Sequence, residues 1–183
     1  MNDIGLLEDD NGLRFVIADR VATLLDADPQ SVRLITVKRK GRFCGVALEF
    51  RGLPFPPEHS RLLGYPRSSG TELRAFCLIT LAKGRRFHFS SFSANARSAE
   101  GSGTERSLSL HGSLVPVPFI GGILERNTAA HTVSVRDARG VTLDDTVRRG
   151  YVLFLSETAL ANPLTFTVRN AAGMPIEEIE RSF

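Results

Sequence analysis

The chain has 183 residues, of which 42% are hydrophobic and 23% charged, with 12 Phe and no Trp. This is length and apolar content enough to bury a core, and the composition is that of an ordinary globular protein rather than a disordered one. The net charge is mildly basic at +3, and the two cysteines, Cys44 and Cys77, are too few for a disulfide scaffold and lack C-x-x-C metal spacing.

In chain order, the opening MNDIGLLEDDNG is acidic and lacks the basic-then-apolar pattern of a secretory signal, so a cytoplasmic chain is expected. No apolar run approaches the ~20 residues that span a bilayer, so no membrane span is expected. Residues 13–25, LRFVIADRVATLL, place Ile17, Val21, Leu24 and Leu25 on one helical face. Asp9, Asp10 or Asn11 can cap the start, and Asp28-Pro29 closes the segment. One short amphipathic helix is predicted; a strand over 13–18 is the competing reading.

From Val32 the apolar period becomes two. In FCGVALEF, Cys44, Val46, Leu48 and Phe50 share a face, so 32–38 and 43–50 read as a hairpin with Lys40-Gly41 at its tip. The proline-rich stretch 53–71 reads as a loop. ELRAFCLITL and RFHFSSF, joined by residues 82–85, read as a second hairpin with Leu73, Ala75, Cys77, Ile79 and Leu81 inward. Residues 94–105 are small and polar, a connection and the place where a domain boundary would fall. Residues 107–111 read as a short strand. LVPVPFIGGIL, 114–124, is apolar but broken by Pro116 and Pro118, which remove two ladder donors and exclude a central strand throughout that span.

Two stretches near the end of the sequence match: TVSVRDARGVTLDD at 132–145 and TFTVRNAAGMPIEE at 165–178, at a constant offset of 33 residues. Each reads as a strand ending in Val-Arg, a four-residue turn and a second strand. Asp137 or Asn170 at the first turn position can bond the backbone ahead, and Gly140 or Gly173 at the fourth can take positive φ. Between them GYVLFL, 150–155, is an apolar strand. The expected fold is mainly β: a hairpin-rich antiparallel β-sandwich, immunoglobulin-like or jelly-roll-like, with one short N-terminal helix. A single domain over 1–183 is preferred; a split would separate the helix and basic hairpins of 1–98 from the tandem hairpins of 106–183.

Charge is uneven: residues 1–99 carry 15 Lys/Arg against 10 Asp/Glu, and residues 100–183 carry 8 against 10. The basic side concentrates at two hairpin tips, Lys38, Arg39, Lys40, Arg42 and Lys83, Arg85, Arg86, each followed by a phenylalanine. Such a cluster can grip phosphates, with rings available for stacking; solvated tips that discourage edge-to-edge pairing are the plainer alternative. The acids Asp137, Asp144, Asp145, Glu177 and Glu178 occur at turn ends, and the adjacent pairs point to opposite faces, which is poor geometry for calcium. His59, His88, His111 and His131 have no zinc-motif spacing, and no G-x-S-x-G or phosphate loop occurs. No cofactor or metal is expected.

Three function classes follow. The first, preferred because no catalytic constellation is visible, is a non-enzymatic interaction module joining its own copies or another protein through strand edges and the apolar 114–124 segment, with Val117, Phe119 and Ile120 as contact residues. The second is nucleic-acid or other polyanion binding through 38–42 and 83–86. The third is an enzyme or small-ligand binder with a non-local site, holding a histidine and a second polar group in a pocket.

Overall fold

The computed structural model describes residues 9–25, 27–52, 72–81, 87–96, 108–124 and 129–183. The described residues are mostly antiparallel β with one long helix, and the chain divides into two compact units, Met1–Ile35 with Arg42–Gly103 and Thr36–Gly41 with Thr104–Phe183.

In the first unit, helix α1 spans Asp10–Leu25. It begins where an Asp9 carboxylate oxygen accepts the Gly12 N–H at 3.0 Å, satisfying a first-turn donor that has no intrahelical partner. Leu13, Val16, Ile17 and Val21 are buried, so the apolar face starts earlier than Ile17. The opposite face is not uniformly polar, because Phe15 is 72% exposed. Asp28 caps a short 3-10 turn at Pro29–Ser31 through its side chain. Strands β1 (Arg33–Lys40), whose residues from Thr36 onward count with the second unit, β2 (Phe43–Arg51), β3 (Glu72–Leu81) and β4 (Phe87–Ala96) then form a sheet in that order. Arg20 of α1 stands over the Phe89 ring at 5.9 Å, which sets the helix against β4. The stretch 53–71 and the second hairpin's turn lie outside the described residues.

The period-two reading of β2 is correct in its positions but incomplete in its burial. Phe43, Gly45 and Ala47 are buried as well as Cys44, Val46, Leu48 and Phe50, so β2 is covered on both faces, as is β3 over 75–80. Cys44 lies opposite Ile79 and Cys77 opposite Val46, a stagger of two positions, and both thiols are buried and form no disulfide.

The second unit holds two sheets, β5-β6-β9 and β11-β10-β7-β8, built from β5 (Leu108–Ser113), β6 (Phe119–Leu124), β7 (Ala130–Arg136), β8 (Thr142–Thr146), β9 (Tyr151–Leu155), β10 (Leu164–Asn170) and β11 (Pro175–Arg181). Ile120, Val152 and Phe154 from the first sheet share a core with Val133, Val135, Phe166 and Val168 from the second, a two-sheet sandwich. Here the alternation does predict burial: Leu164, Phe166 and Val168 are buried while Thr165 and Thr167 are only partly so.

The matched stretches are β7–β8 and β10–β11. Asp137 and Asn170 form the same turn: an Oδ1 accepts Arg139 and Val141 N–H at 2.9 and 2.8 Å in one copy, and Ala172 and Met174 N–H at 3.0 Å each in the other. Gly140 and Gly173 take φ of +88° and +78°. The copies meet through antiparallel β7 and β10, with Ser134 opposite Thr167, Thr132 opposite Arg169 and Arg136 opposite Thr165. Equivalent residues thus face each other about a local two-fold axis. One difference breaks the repeat: Arg169 pairs Pro175 but Val168 pairs Glu177, leaving Ile176 bulged and 40% exposed. The bulge slides β11 by one residue, so the structural counterpart of Asp144, which faces Ser134, is Glu178, which faces Thr167, and not Glu177.

Nothing lies within 4 Å of a methyl group built on Gly140 or Gly173, so alanine at either site meets only backbone strain. Each Gly→Ala substitution is expected to lower stability by about 1 kcal/mol in urea denaturation. Neutral substitutions at both positions would remove the left-handed residue from the account of these turns.

Candidate functional site

The apolar 114–124 span does not form the expected surface. Val117, Phe119 and Ile120 are 7%, 1% and 0% exposed, and all six residues of β6 are buried. Pro116 and Pro118 both precede the strand, so the N–H groups of 119–124 remain available and β6 takes the middle place between β5 and β9. Ile120 is core, and of the span only Val115 projects as a large exposed apolar side chain.

The basic tip between β1 and β2 is partly neutralised. Lys38 Nζ lies 2.7 Å from Asp145 Oδ1 and 5.9 Å from the centroid of the Phe154 ring. Asp145 Oδ2 also accepts the Leu153 N–H at 2.6 Å, so this carboxylate serves the fold rather than a metal. Arg39, Lys40 and Arg42 are exposed. The Arg42 guanidinium sits 5.1 Å over the ring of Phe43, which is itself buried and offers no platform for an outside base. Lys83, Arg85 and Arg86 fall outside the described residues.

Among the described residues no three of the acids converge. Asp137, expected as a solvated turn end, is buried at 4% exposure. Besides the turn bonds, its Oδ2 accepts the Ala161 N–H at 3.0 Å and the Arg139 Nε and Nη2 at 3.1 Å. Arg139 also donates to the Ala159 carbonyl, and the Ala138 N–H to that of Ala161 at 3.1 Å, tying this turn to the segment after β9. Burial alone raises the Asp137 carboxyl; the donors from Ala161, Val141 and Arg139 outweigh it and hold the group down at about 2. Asn170 has no such second set of bonds, and its turn stays exposed at Met174.

Of the histidines, His59 lies outside the described residues, His88 and His131 are exposed, and burial lowers the pKa of half-buried His111. Burial, with Cys44 beside it, pushes the Cys77 thiol up, away from reactive thiolate character. Among the described residues no three His, Cys, Asp or Glu side chains group as metal ligands, and no helix is long and apolar enough to cross a membrane.

Three clefts stand out. One of 230 Å³ is lined by Asp28, Arg33, Glu49, Arg51 and Glu72 in the first unit. One of 490 Å³ runs along α1 beside Phe15, Ala18, Ala22 and Pro29. One of 590 Å³ lies on the outer face of the four-stranded β11-β10-β7-β8 sheet, around Ser134, Thr167, Arg136, Arg169, Asp144 and Glu178. In the last, Arg169 Nη1 donates to Ser134 Oγ at 2.6 Å. Among the described residues no histidine lines any of the three. The α1 cleft was invisible to a reading that sought one apolar face, although Phe15, Ala18 and Ala22 already stood at helical spacing.

The sheet edges differ in protection. β1 carries Arg33, Lys38, Arg39 and Lys40; β8 carries Asp144 and Asp145; β11 carries Pro175, three glutamates and Arg181. β9 is five residues long and has its Leu153 N–H occupied by Asp145. β5 is uncharged but has six residues. β4, with ten residues, contains no charge and no proline, and among the described residues only β3 pairs with it.

The sequence matches no protein-family model, no curated protein and no solved structure. The surfaces therefore rest on their own geometry.

Asp137 gives a pH test. Its carboxyl is held below the ordinary 3.8, at about 2. A depressed carboxyl contributes stability fully above its unfolded pKa and loses it as pH falls through the folded one. Asp137→Asn, which keeps the Oδ1 acceptor but loses the charged Oδ2, is expected to be less stable than wild type at neutral pH. The gap should close between about pH 4 and pH 2. Chemical denaturation at several pH values measures it, and a gap constant with pH contradicts the assignment.

Proposed function

We propose that this chain is a non-enzymatic interaction module that associates by adding an extended strand to β4, from a second copy or from another protein. The observation that carries this reading is the contrast among edges. An unpaired edge strand presents a row of free N–H and C=O groups, and charges, proline or short length normally blunt it. β1, β8 and β11 show those devices; β4 shows neither charge nor proline over ten residues.

The local geometry supports the same reading. Leu78 pairs with Ser91 and Ile79 with Phe89, which leaves Ser90 as a bulge whose hydroxyl bonds that of Thr80. Beyond the bulge, 91–96 pairs with β3 without a further shift and is the run suited to a strand partner. The bulge reverses the face alternation, so Phe89 and Phe92 share the face under Arg20 of α1, and Ser91 and Ser93 take the other. Phe89 and Phe92 are half-buried, so an added strand gains apolar cross-strand contacts in addition to backbone bonds.

The test is sedimentation at several concentrations, with pull-down where the chain alone is monomeric. Wild type is expected to self-associate or to retain a partner. Ser91→Lys/Ser93→Lys, which installs an edge-blocking device, is expected to remove the part of that association that runs through β4, lowering the mass of the assembly or releasing the partner, while circular dichroism and the melting temperature stay close to wild type. A wild-type chain that remains strictly monomeric and retains no partner sinks the proposal, as does association unaffected by the double substitution.

A further inference from the structure

The side of α1 that turns Phe15 to solvent, with Ala18 at 8% exposure as the floor of the hollow beside it, is self-complementary, and we infer that it docks against α1 of a second copy of this chain in an antiparallel helix pair about a two-fold axis. The 490 Å³ cleft is lined by Asn11, Arg14, Phe15, Ala18, Asp19 and Ala22, together with Pro29 and Gln30 after the helix. The helical six recur every three or four residues, one continuous stripe. Phe15 is 72% exposed beside this cleft, so a large apolar knob and a hollow share one surface. A surface that carries both satisfies both at once against its own copy turned through a two-fold.

The order of residues along the stripe fits that operation. With the axis crossing α1 between Val16 and Ile17, Phe15 of one copy meets Ala18 of the other, Arg14 meets Asp19, and Asn11 meets Ala22. Larger faces small at Phe15–Ala18 and Asn11–Ala22, and positive faces negative at Arg14–Asp19. Ala18 and Ala22, one turn apart, allow close approach of the two axes. Arg14 is already fixed at the rim, with Nε donating to the Val32 carbonyl at 2.8 Å and Nη2 to that of Gln30 at 3.2 Å. That leaves Nη1 to face the second copy's Asp19 without a new loss of side-chain freedom. A parallel pairing would instead set Arg14 against Arg14 and Asp19 against Asp19, which repel. One helical face gives an interface near the lower limit of specific contacts, about 1,000 Å², so the dimer is expected in the micromolar range.

This contact uses neither strand nor residue of the β4 edge and stands independently of it. Sedimentation equilibrium of wild type, Phe15→Ser, Asp19→Arg and Ser91→Lys/Ser93→Lys separates the two surfaces. The helix contact predicts that Phe15→Ser weakens dimerisation at least tenfold, that Asp19→Arg weakens it comparably and more so at low salt, and that the β4 substitution leaves a dimer that Phe15→Ser then dissolves. Phe15 is outside the core, so its replacement should leave the melting temperature of the monomer unchanged. Dimerisation insensitive to both α1 substitutions, or a Ser91→Lys/Ser93→Lys chain that is monomeric up to about 100 µM, overturns the inference.

Discussion

The second unit depends on the antiparallel pairing of β7 with β10. That one ladder sets Ser134 against Thr167 and turns a tandem repeat in sequence into two equivalent hairpins back to back. Because strand side chains alternate between faces, fixing this register fixes the rest: Val133, Val135, Phe166 and Val168 point into the core, while Ser134, Thr167 and the two Val-Arg arginines point out. The outward half of the duplication needs no separate cause once the turns and the inward half are set. Thr132 crosses to Arg169 and Thr165 to Arg136, so conserving the pairing on one side of the axis reproduces it on the other. Within this chain the matched wording records a ladder and two turns.

Where the copies diverge, the surroundings explain it. Asp137 carries a charge because its second oxygen has donors waiting, from Arg139 and from the backbone of Ala161. Asn170 needs only one acceptor oxygen, for the turn itself. The bulge at Ile176 belongs to the copy whose turn projects, and it places Glu178 where Asp144 stands in the other. The same turn chemistry is thus a cross-link in one place and a solvent-facing end in the other.

What the sequence made legible was local. The Asx acceptor, the glycine at the fourth turn position and a helical start capped by one of Asp9, Asp10 or Asn11 each depend on neighbours a few residues away; the first two appear as read, and of the three caps Asp9 is the one used. Burial was legible only where one face of a strand is wet, as in β10. For β2, β3, β6 and β9 both faces are covered, and period two carries no information about which. Hence 114–124 looked like an interruption with an exposed patch, although its prolines stop short of the strand. Lys38 looked like part of a basic tip because its counter-charge, Asp145, is over a hundred residues away. The fold class survives such errors because it needs only strands and turns; a functional surface does not, because it needs to know what is left uncovered.

The two units manage uncovered structure differently. In the second, the edge strands β8 and β11 are short, acidic or headed by proline, and the edge of β9 is stopped by a carboxylate from its neighbour. In the first, β4 has ten residues with none of these devices, and α1 turns Phe15 to solvent on the side its core does not use. A helix of sixteen residues gains its stability from a single buried stripe, here Leu13, Val16, Ile17 and Val21, and an aromatic ring on the other side adds nothing to an isolated monomer. Burying that ring is worth roughly 2 kcal/mol wherever a cover is found. The uncharged β4 edge and the exposed Phe15 ring therefore fall in one unit, while the other exposes Val115 and Met174 at its turns.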